Sequence, residues 1–145
     1  MILVGIDIGK KQHTFSIIDK GTGEILSNPS VFNNNQDGFL LLIQKLKHYA
    51  KAELLIGMED TGHYHFALLK YLLDSHYTVA LINPTTTDLT RKLQGGITKN
   101  DPLGSLTICD VISSNQRKKP YRITKVNRFD LYEQKQLTRH HHNLK

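Results

Sequence analysis

Three acidic residues, far apart in the chain, stand where a fold has little structural use for them: Asp7, Glu59 and Asp101. Asp7 sits between two glycines in Gly5-Ile6-Asp7-Ile8-Gly9-Lys10, at the end of an apolar run. Strands disfavour Asp, and burying an isolated charge is costly, so something must compensate it. A divalent metal or a Mg-bound nucleotide is the obvious candidate. Glu59 ends a second apolar run in Gly57-Met58-Glu59-Asp60-Thr61-Gly62, and Asp101 closes Thr98-Lys99-Asn100-Asp101. If the first and fourth strands are adjacent and parallel, Asp7 and Glu59 project near one end of the sheet. Three carboxylates meeting there repel one another unless divalent cations sit among them. Oxygen-only ligands favour Mg²⁺ or Mn²⁺ over zinc, and two such ions about 4 Å apart suit phosphodiester chemistry.

Each residue also has a purely structural reading. Asp101 precedes Pro102 and would cap a helix well. Asp60 follows Glu59, so it points to the opposite face of a continuing strand and reads as structural. His63 and His65 flank the start of a helix, where partial exposure is commoner than metal ligation, and stay outside the site. Thr14, Ser16 and Ser105 show no base–nucleophile spacing. Asp7 is the residue hardest to explain without a ligand.

The elements that must hold these groups follow from periodicity. Residues 2–8 read as a strand buried on both faces. His13–Asp19 alternates as a strand, with Phe15 and Ile17 on one side. Gly21-Thr22-Gly23 turns into a third strand, Glu24–Val31, which Pro29 assigns to a sheet edge. Connections this short make the three antiparallel. Phe39, Leu42, Ile43 and Leu46 then fall at helical spacing after Asn33-Asn34-Asn35, a run of capping residues. Leu54–Glu59 reads as a strand, Phe66, Leu69 and Leu73 as a second helix, and Tyr77–Ile82 as a fifth strand ending at Asn83-Pro84. Thr85–Gln94 suggests a short helix and Gly95-Gly96 a break. Pro102 suits the first turn of a third helix running to about Ser114, with Asp101 as its N-cap. The fold class is therefore α/β, a mixed five-stranded sheet with strands one to three antiparallel and helices on its faces. Phe129–Leu144 reads as a last helix without a stop signal, as in the front part of something longer.

Charge is unevenly placed. The 145 residues carry a net +6. Residues 117–145 hold nine Lys/Arg against two acids, a net +7, while the first 116 hold 10 against 11, a net −1. A neutral body with a basic tail fits a segment that meets a polyanion, although a solvated basic helix has the same composition. The phosphate-contact candidates are Arg117, Lys118, Lys119, Arg122, Lys125 and Arg128, with Lys10 and Lys99 beside the acids. No stretch nears the ~18 apolar residues of a membrane span, and no signal-peptide pattern opens the chain. The one cysteine, Cys109, reads as a small core residue, and a cytoplasmic setting is expected.

Taken in order, Gly5-Ile6-Asp7-Ile8-Gly9-Lys10, Met58-Glu59-Asp60-Thr61-Gly62-His63-Tyr64, Val79-Ala80-Leu81-Ile82-Asn83-Pro84 and Lys99-Asn100-Asp101 resemble the N-terminal domain of DEDD insertion-sequence transposases, the group that includes the Piv and MooV DNA invertases. No single piece is specific; the ordered set is. The resemblance implies an RNase H-like (RuvC-like) fold over residues 1–116 with an Asp-Glu-Asp-Asp site for Mg²⁺ or Mn²⁺. Asp7, Glu59 and Asp101 would be its catalytic metal ligands. It also implies a mobile-element recombinase that acts on DNA as an oligomer, guided by an RNA encoded by the element. A C-terminal serine domain belongs to that family, and residues 117–145 would begin the coiled-coil connection to it.

One position departs from the family pattern of Asp-x-x-Asp at the third helix, because Gly104 stands where the fourth acid belongs. Asp110 is six residues further, about 240° round a helix, and does not replace it. Within a helix Gly104 also costs about 1 kcal/mol relative to Ala. Weaker or single-metal binding and impaired activity are the expectation. The competing readings are a stand-alone Holliday-junction-type nuclease, an actin-like or sugar-kinase ATPase lobe, and a non-catalytic nucleic-acid-binding module.

Overall fold

The computed structural model describes residues 1–84, 104–113 and 121–128. Strand β1 is Ile2–Asp7, β2 is Gln12–Asp19 and β3 is Ile25–Asn33. Helix α1 is Gln36–Leu46, and a single 3-10 turn, Lys51–Glu53, leads into β4, Leu54–Glu59. Helix α2 is Phe66–Asp74, β5 is Val79–Pro84, α3 is Ser105–Ser113 and β6 is Tyr121–Val126. The order across the sheet is β3-β2-β1-β4-β5-β6. β1 pairs antiparallel with β2, and β2 with β3. β1–β4 and β4–β5 are parallel, and β5–β6 is antiparallel.

Local chemistry sets these elements. Asp19 closes the β2–β3 hairpin, its Oδ1 accepting Gly21 N–H at 2.8 Å and its carbonyl accepting Gly23 N–H at 2.7 Å. Gly23 has φ +75°, a conformation that other residues disfavour. Asn35 caps α1 by accepting Gly38 N–H at 2.8 Å. The sheet then separates two cores. Val4, Ile6, Phe15, Ile17, Ile56 and Met58 pack with Leu42 and Leu46 of α1 and Leu68 and Leu72 of α2. On the opposite face Leu3, Leu55, Ala80 and Ile82 pack with Ile108, Cys109, Val111 and Ile112 of α3. Each fully buried aliphatic side chain contributes about 1.5–3 kcal/mol, so a sheet covered on both faces is the expected resting place for such apolar runs.

The mixed α/β class, the antiparallel opening strands and the helices on both faces agree with the RNase H-like layout read from the sequence. Three details differ. The sheet has six strands rather than five, because Tyr121–Val126, read as part of a basic connector, pairs with β5. Its surplus of cations masks a strand whose Ile123 packs on one core and whose Val126 packs in the other. β3 runs to Asn33, past the expected end at Val31; its lone neighbour β2 does put Pro29 on the sheet edge. Helix α3 begins at Ser105, not at Pro102, and Gly104 lies at its entrance, its carbonyl accepting Ile108 N–H at 2.9 Å. The segments 85–94 and 129–144, expected to be helical, lie outside the described residues. Among the described residues no helix is long and apolar enough to cross a membrane.

Candidate metal and nucleic-acid site

The register of two parallel strands decides where the acids sit. Ile6 of β1 is opposite Met58 of β4, so Asp7 and Glu59 follow one step on at the same ends of adjacent strands. Side chains alternate along a strand. Leu3 and Leu55 face α3, as do Gly5 and Gly57, where an added Cβ would meet α3. Asp7 and Glu59 share that parity and therefore that face. Both are partly buried. The Asp7 carboxyl is pushed above the ordinary carboxylate range, first by burial and then by the negative charge of Glu59. The ends of β1 and β4 thus gather two partly buried carboxylates, and the charge of Glu59 disfavours ionisation of Asp7.

α3 packs directly behind them. A Cβ on Gly5 would collide with the Ser105 carbonyl and come within 2.9 Å of the Cys109 amide. One on Gly57 would come within 2.7 Å of Ile112. Ser105 Oγ and Ser16 Oγ share a buried hydrogen bond of 2.6 Å, and Cys109 Sγ donates weakly to the carbonyls of Leu3 and Ser16. Burial pushes the Cys109 thiol up to about 11, so it is an inert core residue, as is the serine pair. Gly104 is exposed, and a Cβ there would meet none of the described residues within 4 Å.

Of the other expected site residues, Asp101, Lys99, Arg117, Lys118 and Lys119 lie outside the described residues. Lys10 is exposed in the loop after Asp7. Arg122 and Lys125 lie on β6, opposite Asn83 and Ala80, and Arg128 is exposed just beyond. The histidine expectation fails in one case. His63 is exposed, but His65 is wholly buried. His65 Nε2 lies 3.4 Å from Asp60 Oδ1, and its Nδ1 lies 3.1 Å from Thr61 Oγ1. Asp60 also accepts Gly62 N–H at 3.0 Å, the structural part expected of it. His13 is a second buried imidazole that the sequence reading passed over. Its parity with Phe15 and Ile17 was the available signal. For His65 the signal was its helical spacing from the buried Leu68, Leu69 and Leu72, although Tyr64 and Phe66 on either side are the more apolar residues and both are exposed.

Over residues 4–145 the chain matches the family model DEDD_Tnp_IS110, described as "Transposase". It is 31% identical over 100 residues to the pilin gene-inverting protein of Moraxella lacunata, and equally to that of Moraxella bovis. Each match covers 68% of this chain but only 30% of the relative, so the chain spans less than a third of the length of those relatives. Among solved structures it is similar to the fowlpox virus Holliday junction resolvase, with a TM-score of 0.40 and 17% identity over 63% of this chain and 67% of that one. The family match takes in both carboxylate-bearing strand ends and every later element, and on it this chain belongs to the DEDD transposase family.

Proposed function

We propose that this chain is the N-terminal catalytic domain of a mobile-element DNA transposase or site-specific recombinase. In this reading Asp7, Glu59 and Asp101 hold Mg²⁺ or Mn²⁺ against DNA phosphates during strand cleavage and exchange. The observation that carries it is the pairing of Asp7 with Glu59 on one face of adjacent parallel strands. The donor set fits a hard cation: both groups offer only oxygen, and their mutual repulsion is what a divalent charge relieves. Asp101 precedes Gly104 by three residues, a reach of at most about 10 Å, and Gly104 enters the helix that packs behind the pair. A bound divalent cation polarises a phosphoryl oxygen and stabilises the attacking and leaving oxygens of an in-line displacement.

The chain's own part is positional. Gly5 and Gly57 let α3 close on the sheet, and the strand ends fix the two acids. The cations Lys10, Lys99, Arg117, Lys118, Lys119, Arg122, Lys125 and Arg128 supply counter-charge for nucleic acid. An element-encoded guide RNA and a homo-oligomer belong to the same proposal for the longer protein. DNA-binding titrations in Ca²⁺, which supports binding without turnover, test this reading. Asp7→Ala should weaken the Ca²⁺-dependent part of DNA affinity. Joint replacement of Arg117, Lys118 and Lys119 by Ala should lower the salt slope by about 3. A DNA affinity indifferent to both changes contradicts the proposal.

A further inference from the structure

We propose that His13 and His65 are positioning residues which set the separation of Asp7 and Glu59, and thereby the cation affinity of the site. This rests on the reading of those two acids as cation ligands. Each imidazole is tied to the segment that directly follows one of the acids. His13 Nδ1 accepts the amide N–H of Gly9, two residues after Asp7, at 3.1 Å. His65 is bound to Asp60 and Thr61, the two residues after Glu59. Thr61 Oγ1 also accepts the His65 amide at 3.3 Å, which closes a small ring around the turn at Gly62.

The hydrogen-bond pattern fixes the proton on each ring. Because His13 Nδ1 accepts, the neutral ring carries its hydrogen on Nε2. In His65 an Nε2 hydrogen serves the Asp60 carboxylate, while Nδ1 accepts the Thr61 hydroxyl. The two rings lie close enough for a charge on one to oppose a charge on the other, and both are less than 2% exposed. His13 lies on the sheet face opposite the acids, on the side of Phe15 and Ile17, with its ring edge-on to Phe32 at 5.3 Å between centroids. Asn34 joins it: its Nδ2 donates to Lys10 O at 3.1 Å, and its own amide donates to Lys11 O at 2.9 Å. The loop that leaves Asp7 is therefore held at Gly9, Lys10 and Lys11.

A filler role does not account for this arrangement. His13 Nε2 and Asn34 Oδ1 are both buried and neither makes a close hydrogen bond among the described residues, the Asn34 side chain being the group that interacts with the His13 ring; burying polar groups so weakly paired is costly. Leucine would fill either slot without that penalty. The chain instead places Tyr64 and Phe66 in solvent and gives the buried slot between them to a histidine. What the imidazoles supply, and leucine cannot, are the bonds to Gly9, Asp60 and Thr61. Groups behind a metal ligand typically alter metal affinity 10–100-fold through its orientation.

The test is calorimetric titration of Mn²⁺ into the full 145-residue chain and its variants, with amide hydrogen exchange at Gly9 as a metal-free readout. His13→Leu and His65→Leu should each raise the Mn²⁺ Kd about tenfold. His13→Asn, whose side-chain oxygen replaces Nδ1, and His65→Gln, whose amide replaces Nε2–H, should keep most of the affinity. Gly9 exchange should accelerate in His13→Leu and stay slow in His13→Asn. Should the Leu variants not fold, His13→Asn compared with His13→Gln decides, since only the shorter amide reaches Gly9. Wild-type binding with equal Kd across these variants overturns the positioning role alone. No Mn²⁺ binding by the wild type overturns the site reading as well.

Discussion

Gly5 and Gly57 face each other across β1 and β4, and α3 rests on the bare backbone of both. This contact sets the height of the helix over the sheet and brings the Ser105 end of α3 to within one side-chain layer of Asp7. The neighbours differ in kind. The atoms nearest a Cβ at Gly5 include the backbone of Ser105 and Cys109, whereas those nearest one at Gly57 are side-chain atoms of Ile108 and Ile112. A side chain can rotate away, but a helix backbone cannot. Gly5→Ala should therefore cost about 3 kcal/mol and Gly57→Ala about 1 kcal/mol in urea unfolding. The reverse order contradicts this packing account.

The Asp7 carboxylate weakens the cation-free fold that carries it. The folded Asp7 carboxyl loses hydration and feels the Glu59 charge, and neither cost applies to the unfolded chain. Asp7→Asn should therefore raise the melting temperature in EDTA at pH 7.5. Added Mn²⁺ should raise the melting temperature of the wild type and leave that of Asp7→Asn where it was. A lower melting temperature for Asp7→Asn in EDTA would mean that the carboxylate is structural.

The buried histidines predict a pH dependence. Burial is the chief cause holding both His13 and His65 below the ordinary histidine range. Asp60 partly offsets it at His65, and Asn34 does so at His13. The unfolded chain takes up protons near 6.5, where the folded rings remain neutral. Their contribution is thus complete above about 6.5 and is lost as pH falls toward the lowered folded values. The urea midpoint should be lower at pH 5 than at pH 7.5, and the combined His13→Asn, His65→Gln variant should show a smaller difference. Identical pH dependence in the two proteins rules out the imidazoles as its source.

Gly104 gives a separable test of the fourth-acid position. It stands exposed at the entrance to α3, and a Cβ there would meet none of the described residues, so Gly104→Asp needs no repacking of them. At a helix N-cap the exchange of Gly for Asp changes stability by only a few tenths of a kcal/mol. This replaces the penalty of about 1 kcal/mol expected for a helix interior. Tighter Mn²⁺ binding with a nearly unchanged urea midpoint is the expected result for Gly104→Asp. Equal Mn²⁺ affinities in the two proteins would show that no fourth ligand is missing.

The sheet was legible in the sequence because period-two alternation and short turns leave few alternatives for residues 2–31. The pairing of Asp7 with Glu59 was legible for a related reason, since two apolar runs ending in acid suggest parallel neighbours. β6 was not, because its partner β5 precedes it by some 40 residues and its cations resemble a tail. The start of α3 was misplaced because Pro102 is acceptable both in a first helical turn and before one. The buried histidines escaped notice because polar residues are assigned to the surface by default, and only parity with Phe15 and Ile17 argued otherwise for His13. For His65 the signal was its spacing of three, four and seven residues from Leu68, Leu69 and Leu72 on the buried face of α2, a spacing that His63 lacks.

The most direct test of the account is Mn²⁺ binding followed by paramagnetic broadening of amide signals in the full chain. With the wild type, the signals of Asp7, Ile8, Glu59 and Asp60 should disappear first at substoichiometric Mn²⁺. Asp7→Asn and Glu59→Gln should each abolish that pattern while the spectrum stays folded. Broadening that begins elsewhere, or that survives both substitutions, would contradict a cation held between Asp7 and Glu59.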